Sequence, residues 1–181
     1  GNEAGGLFYK FNNSTVKIHV LKGRITADTS KTVNQEEKRC IGALCRSAYR
    51  TTIQNVMSTV KVQDNGSGNA GGLVGYFGGY SDMNEWQPGS FIQNCAVYAN
   101  VTSTNGTVGG LVGCTWENAQ CWQINNCIYK GNVTGGTDQG VGTIIGTHNT
   151  GRRSTFKDTW YCANTSEIVG KYNNQENGKN F

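Results

Sequence analysis

Aromatic and acidic side chains are concentrated in two segments of the chain, residues 76–90 and 114–123. A tryptophan face can stack on a sugar ring or anchor a protein interface, and exposed aromatic clusters are uncommon unless they bind something. These segments therefore predict a surface that binds a glycan or a protein ligand. The candidate ligand-binding residues are Tyr76, Tyr80, Trp86, Trp116, Glu117 and Trp122. The alternative is that the aromatic side chains fold back and cover a glycine-rich strand.

Carboxylates in the same segments suggest glycan cleavage as a rival activity. Asp82 or Glu85, paired with Glu117, could act as acid and base at the separations that glycosidases use. The sequence contains no spacing that fixes such a pair, so we assign no catalytic residue and favour a non-catalytic role. The only histidines are His19, which we expect in the core, and His148. Since no Cys-x-x-Cys pair is present either, we expect no metal site and no cofactor.

A repeating scaffold must position these side chains, because one short segment recurs along the chain. The sequence Gly-Gly-Leu-Val-Gly at residues 71–75 recurs at 109–113, and weaker copies begin at Gly5, Ile41 and Gly142. In the copy from Ile41, Cys45 is expected to take the place of the last glycine. Self-similarity at a regular period is typical of solenoids.

A second segment follows each copy and begins at residues 16, 53, 92, 124 and 156. Its fourth, sixth, eighth and tenth positions mostly hold small or apolar residues, as the buried face of a strand requires. Its third position holds Ile18, Asn55, Asn94, Asn126 and Asp158. Asparagine tolerates left-handed backbone angles, so this position predicts a stacked amide ladder at a tight bend.

The fifth position of the same segment is apolar in every repeat. It holds Val20, Met57, Ala96, Ile128 and Trp160. Either the bend turns this column inward, or the column is an outer strip that another domain covers. We expect the inward arrangement.

These patterns predict an all-β fold, a right-handed parallel β-helix of about five coils over residues 1–166. Each coil is expected to contain three short strands, and parallel pairing with the next coil satisfies the backbone groups. At about 4.8 Å per coil the rod is roughly 24 Å long. Residues 167–181 are polar and are expected to form a tail or a link to a following domain.

Seven cysteines are present, an odd number for a fully paired secreted framework. Cys95 and Cys127 occupy the same position in successive repeats, so we expect them to stack in the core as small apolar residues. A bridge between them stays an alternative at the spacing of adjacent strands. Cys114 and Cys121 flank one loop and could close it as a disulfide, so the disulfide state stays open.

The Gly-Gly-Leu-Val-Gly copies resemble the GLUG motif, a short repeat of bacterial cell-surface and secreted proteins that also occurs beside the catalytic domain of IgA-specific metallopeptidases. The resemblance extends from Gly5 to about Thr165, with two strong copies and three degenerate ones. It implies an extracellular or cell-surface repeat region and no catalytic residues. The zinc motif of those peptidases, His-Glu-x-x-His, is absent from this sequence.

The expected function is a non-catalytic extracellular module of a larger multidomain protein, an adhesin or stalk that binds a host or environmental glycan or protein. The alternatives are a polysaccharide lyase or glycosidase-like domain and a pure structural spacer. Nucleic acid is not an expected partner, because the net charge is only +4 and no dense Lys/Arg cluster occurs. No apolar run approaches the roughly 20 residues of a membrane span.

Overall fold

The chain folds as a β-solenoid in which every strand pairs in parallel with strands of the neighbouring coils. The computed structural model describes residues 5–31, 39–78, 89–115, 122–149 and 155–173. Within them helical conformation is limited to a 3-10 turn at Thr29–Lys31 and to Arg39. The all-β solenoid expected from the sequence is confirmed.

The strands are short and recur in the same order in each coil. The first coil contains β1 (Phe8–Asn12), β2 (Thr15–Lys17), β3 (Val20–Leu21) and β4 (Arg24–Ala27). The second contains β5 (Cys40–Gly42), β6 (Cys45–Tyr49), β7 (Thr52–Gln54), β8 (Met57–Ser58) and β9 (Lys61–Asp64). The third contains β10 (Asn69–Gly71), β11 (Val74–Gly78), β12 (Ser90–Gln93), β13 (Ala96–Val97) and β14 (Val101–Ser103). The fourth contains β15 (Val108–Gly109), β16 (Val112–Thr115), β17 (Trp122–Asn125), β18 (Ile128–Lys130) and β19 (Val133–Thr134). The fifth contains β20 (Val141–Gly142), β21 (Ile145–Asn149), β22 (Thr155–Lys157) and β23 (Trp160–Cys162), and β24 (Val169–Asn173) follows it.

Equivalent strands of successive coils form five parallel sheets. The long sheet has the order β1-β6-β11-β16-β21-β24, and the short sheet has the order β20-β15-β10-β5. The other three sheets have the orders β2-β7-β12-β17-β22, β23-β18-β13-β8-β3 and β19-β14-β9-β4. A five-stranded sheet takes one strand from each of five coils, so four full turns separate its first strand from its last. The segment expected as a polar tail contributes β24, which pairs with β21.

The observed register confirms the alignment of the second repeat segment. Ile92 pairs with Ile53 on one side and with Ile124 on the other, and Val16 and Phe156 continue the same column. The second, third and fourth coils, however, have five short strands each where three were expected, and four strands are described in the first coil and in the fifth.

Two of the expected strands are each divided in two, which is why the strand count differs: the glycine-rich repeat forms β10 and β11, and the segment that ends at Val101 forms β13 and β14. In the third coil β10 ends at Gly71 and β11 begins at Val74. A Cβ on Gly71 would lie 1.9 Å from the carbonyl oxygen of Val74, so only glycine allows this bend. Val74 pairs with Cys45, so Arg46 and not Cys45 takes the place of Gly75 in the second coil.

The expected amide ladder is present at the bend between β7 and β8 and at its equivalents in the next two coils. Asn55, Asn94 and Asn126 have φ values of 58°, 54° and 51°. The Asn94 Nδ2 donates to Asn55 Oδ1 at 3.4 Å, and the Asn126 Nδ2 donates to Asn94 Oδ1 at 2.7 Å. Asp158, with φ 47°, continues the column of left-handed turns.

Side chains alternate between the core and the surface on either side of these turns. Val62, Val101 and Val133 are buried, as expected of the tenth position. His19, directly before β3, was expected in the core and is exposed.

The inward arrangement expected for the fifth position is wrong. Tyr129 is fully buried, and its neighbour Ile128 is 41% exposed. Since successive residues of a strand point to opposite faces, burial of the sixth position turns the fifth one outward.

A buried carboxylate joins three successive coils near the end of β9. The Asp64 side chain is 1% exposed and accepts hydrogen bonds from the backbone N–H groups of Thr29, Gly66 and Gly68, each at 2.9 Å. The hydroxyls of Thr29 and Ser103 donate to it at 2.7 and 3.0 Å. Five donors compensate the charged group for the loss of water.

We expect Asp64→Ala to lower the free energy of unfolding by about 3 kcal/mol or more, because buried donors lose a charged acceptor. Urea denaturation measures the loss. Asp138→Ala removes an exposed carboxylate and serves as the control. Equal effects of the two substitutions would contradict the structural role of Asp64.

Candidate functional site

A groove with a volume of about 240 Å³ lies between the outer face of the long sheet and the turns that lead into the short sheet. Its long-sheet wall is lined by Tyr76, Cys114, Thr147, Asn149 and Lys171. Its opposite wall is lined by Arg39, Ser67, Asn69, Thr107 and Gln139. The groove therefore draws residues from turns and strands that are far apart in the sequence.

The long-sheet wall follows the axis of the solenoid. Tyr76 pairs with Cys114, Cys114 with Thr147, and Thr147 with Lys171, so one side chain comes from each of four adjacent strands. At about 4.8 Å per strand this column is roughly 14 Å long. The groove consequently crosses successive coils.

A hydrogen bond between two hydroxyls joins the two walls. The hydroxyls of Thr107 and Thr147, which belong to opposite walls, lie 3.3 Å apart. Asn149 is fixed at the end of β21, because its Nδ2 donates to the Thr115 carbonyl at 2.7 Å. Beneath the groove Tyr76, Cys40 and Cys114 form a small apolar cluster separate from the main core.

The chemistry of the lining suits a ligand that is rich in hydroxyls and negatively charged. Apart from Tyr76 and Cys114, the uncharged lining residues carry amides or hydroxyls, which both donate and accept hydrogen bonds. Arg39, before β5, and Lys171, on β24, are exposed cations from opposite ends of the groove. No carboxylate is among the lining residues in the described part of the chain.

Of the residues predicted from sequence, Tyr76 lies in the groove wall, where its side chain is 7% exposed. Tyr80, Trp86, Trp116 and Glu117 lie outside the described residues. The same is true of the suggested carboxylates Asp82 and Glu85 and of Cys121, the suggested partner of Cys114.

The two aromatic-rich segments nevertheless start from the wall of the groove. Residues 79–88 follow β11 and residues 116–121 follow β16. These strands are neighbours in the long sheet, with Phe77 paired to Thr115.

The prediction that Trp122 belongs to an exposed binding loop is wrong. Trp122 begins β17, and its side chain is fully buried in the main core. The indole meets the ring of His148 edge-on at 5.4 Å and the ring of Phe156 at 5.2 Å. Trp122 and Ile124 face inward because they alternate with half-buried Gln123 and Asn125 along the strand.

The polar residues of the groove were missed because they form no contiguous sequence motif. Asn69 begins β10, whereas Thr107 and Gln139 lie in the turns before β15 and β20. The one sequence signal was positional, since each lies two or three residues before a repeated Gly-Gly or Gly-Thr pair.

Cys95 and Cys127 are buried, unbridged thiols, as expected of stacked core cysteines. Their sulfurs lie 3.2 and 3.1 Å from the carbonyl oxygens of Gln93 and Asn125. The hydrogen bond to Cys95, together with burial, raises the pKa of the Cys127 thiol above its usual value. Cys127 therefore stays protonated.

In the described ranges no group of three or more His, Cys, Asp or Glu side chains is arranged to hold a metal ion. No helix in those ranges is long and apolar enough to cross a membrane.

Comparison of the chain with family models, curated proteins and solved structures finds no match.

We expect Trp122→Ala to lower the free energy of unfolding by about 3–5 kcal/mol, the usual range for emptying an aromatic core position. Trp122→Phe should cost less, because the indole N–H has no hydrogen-bond partner among the described residues. Trp160→Ala, at a position that is 71% exposed, is the control. If urea denaturation shows that Trp122→Ala lowers the free energy of unfolding no more than this control does, Trp122 does not belong to the core.

Stability should also depend on the charge of His148. Burial lowers the pKa of His148 from 6.5 to about 4, and its Nδ1 lies 2.9 Å from the Thr115 hydroxyl. The unfolded chain binds a proton as the pH falls below 6.5, whereas the folded protein does so only near pH 4. The free energy of unfolding therefore has its full value above about pH 6.5 and decreases as the pH falls from 6.5 toward 4. Between pH 7 and pH 5 the decrease is about 2 kcal/mol.

Thermal or urea unfolding at these two pH values measures the decrease. The His148→Gln variant should lose most of the pH dependence, whereas His19→Gln, at an exposed position, should keep it. An unchanged pH dependence in His148→Gln would refute the assignment.

Proposed function

We propose that the protein is a non-catalytic extracellular module that binds an acidic glycan along the groove of the long sheet. The observation that carries this proposal is the lining of the groove, which combines amides and hydroxyls with two cations and no carboxylate in the described residues. Hydroxyls of a sugar can exchange hydrogen bonds with Asn69 and Gln139, and its acidic groups can pair with Arg39 and Lys171.

The shape of the groove favours an extended polymer over a compact metabolite. Pockets for small molecules are usually apolar and enclose about 300–1,000 Å³. This groove is smaller, polar and directed along four adjacent strands. A chain of sugar units lying parallel to the axis would contact one coil after another.

Binding is favoured over cleavage by the same lining. Glycosidases need two carboxylates placed on either side of the scissile bond. The described lining provides neither, although it provides several groups that hold a sugar chain in place.

The aromatic residues predicted from sequence are proposed to extend this site. Tyr80, Trp86, Trp116 and Glu117 follow the strands that carry Tyr76 and Cys114 in the groove wall. From there the three aromatic rings could stack on sugar units at the margin of the groove, and the Glu117 carboxylate could accept hydrogen bonds from sugar hydroxyls.

The extracellular setting and the role as adhesin or stalk of a larger surface protein are further parts of the proposal. They rest on the resemblance of residues 71–75 and 109–113 to the GLUG repeat. A regular stack of parallel coils is suited to carry a binding site away from a surface.

We expect the double variant Arg39→Gln and Lys171→Gln to bind an acidic polysaccharide about tenfold more weakly, as the loss of two exposed cationic contacts implies. Polygalacturonate and an uncharged glucan of similar length are the probes, measured by titration calorimetry. The double variant Arg24→Gln and Lys61→Gln removes two exposed, adjacent cations from another sheet and should bind as the unmodified protein does.

Equal binding of the charged and the uncharged polymer would contradict the acidic class of ligand. Equal weakening in the two double variants would show that net charge alone, and not the groove, attracts the polymer. Absence of binding to any glycan on an array would favour a spacer. Trp86→Ala and Trp116→Ala test the aromatic contribution, with Trp122 left intact because it belongs to the core.

A further inference from the structure

The outer face of the sheet from β3 to β23 carries a continuous apolar stripe, away from the residues that line the groove. The stripe consists of Val20, Met57, Ala96, Ile128 and Trp160, each paired in register with the next. Four of these side chains are between 38% and 71% exposed, and Ala96 is half-buried. Contiguous exposed apolar surface of this kind marks interaction sites.

The composition of the stripe favours a protein ligand over a glycan. Sugar rings are recognised by flat aromatic faces, and only Trp160 offers one in this column. Val20, Met57 and Ile128 are aliphatic, and they gain from contact with other apolar side chains.

Positive charge borders one side of the stripe. Two residues further along the strands, the neighbouring column contains exposed Lys22 and Lys130, with exposed Thr59 and Tyr98 between them. The next sheet adds exposed Arg24 and Lys61, paired with each other in register. The opposite border is the uncharged amide ladder, which ends in the single acid Asp158, and the sheet beyond it carries exposed lysines only on its two outermost strands, at Lys17 and Lys157. A partner with carboxylates along one edge would complement this arrangement.

The spacing along the stripe indicates the conformation of that partner. Five residues at about 4.8 Å per strand extend over roughly 19 Å. A helix parallel to the axis brings one apolar residue to this face per turn. Five such residues are separated by four turns, which extend over about 22 Å. A strand in the same direction brings one residue to the face every second position, and four such steps extend over about 27 Å. A helix therefore matches the stripe better than a strand.

We propose that this face binds an amphipathic protein helix whose apolar stripe lies along the solenoid axis and whose acidic flank faces Lys22 and Lys130. The complex is a helix-on-surface association in which apolar contacts supply affinity and the lysines fix the orientation.

The test uses two fluorescent synthetic helices that share one leucine stripe and carry either glutamate or lysine along one flank. Fluorescence anisotropy at low salt should show saturable binding of the glutamate helix to the full chain and much weaker binding of the lysine helix. The double variant Lys22→Glu and Lys130→Glu should reverse this preference, with a loss of about tenfold or more for the glutamate helix. Ile128→Ser should weaken both helices.

Matched controls separate this face from the groove. Arg39→Glu with Lys171→Glu makes the same change of charge in the groove and should leave the preference for the glutamate helix intact. A preference that is unchanged in the Lys22 and Lys130 variant, or absence of binding of the glutamate helix at millimolar concentration, would overturn the proposal. Sedimentation that shows a dimer dissociated by Ile128→Lys would also overturn it, because the face would then bind a second copy.

Discussion

Parallel hydrogen bonding between successive coils is the constraint on which the rest of this structure depends. Each backbone strand satisfies its donors and acceptors on strands of the neighbouring coils, and every pairing in the five sheets is in register. Because the register is exact, residues at equivalent repeat positions must share one face. The core, the amide ladder, the groove wall and the exposed apolar stripe are all columns that this constraint creates.

The bends between strands require special residues because the chain must turn without losing the stacking. At Gly71 the carbonyl of Val74 approaches so closely that no Cβ can be accommodated. At Asn94 a left-handed backbone is combined with side-chain hydrogen bonds to the coils on both sides. At Asp64 a buried carboxylate collects backbone donors that the turn would otherwise leave unpaired. Glycine, asparagine and aspartate thus stabilise different bends of the coil through different interactions.

The two proposed binding surfaces differ in the kind of column that forms them. In the groove, two walls meet through the hydroxyls of Thr107 and Thr147, and the lining is polar and cationic. On the sheet that contains Ile128, one column stays apolar and exposed while the column beside it carries lysines. A solenoid can present both surfaces at once, because each column is free to vary without disturbing the inward-facing residues of the same strands.

The amino-acid sequence alone determined the solenoid class, the register of the second repeat segment and the left-handed turns, because these follow from local spacing that recurs from coil to coil. It also placed Cys95 and Cys127 in the core. The sequence did not determine the side to which Ile128 or Trp122 points, nor the meeting of Thr107 with Thr147 across 40 residues. Those outcomes depend on where each bend falls and how the sheets are angled to one another, and such geometry is fixed only when all the coils stack.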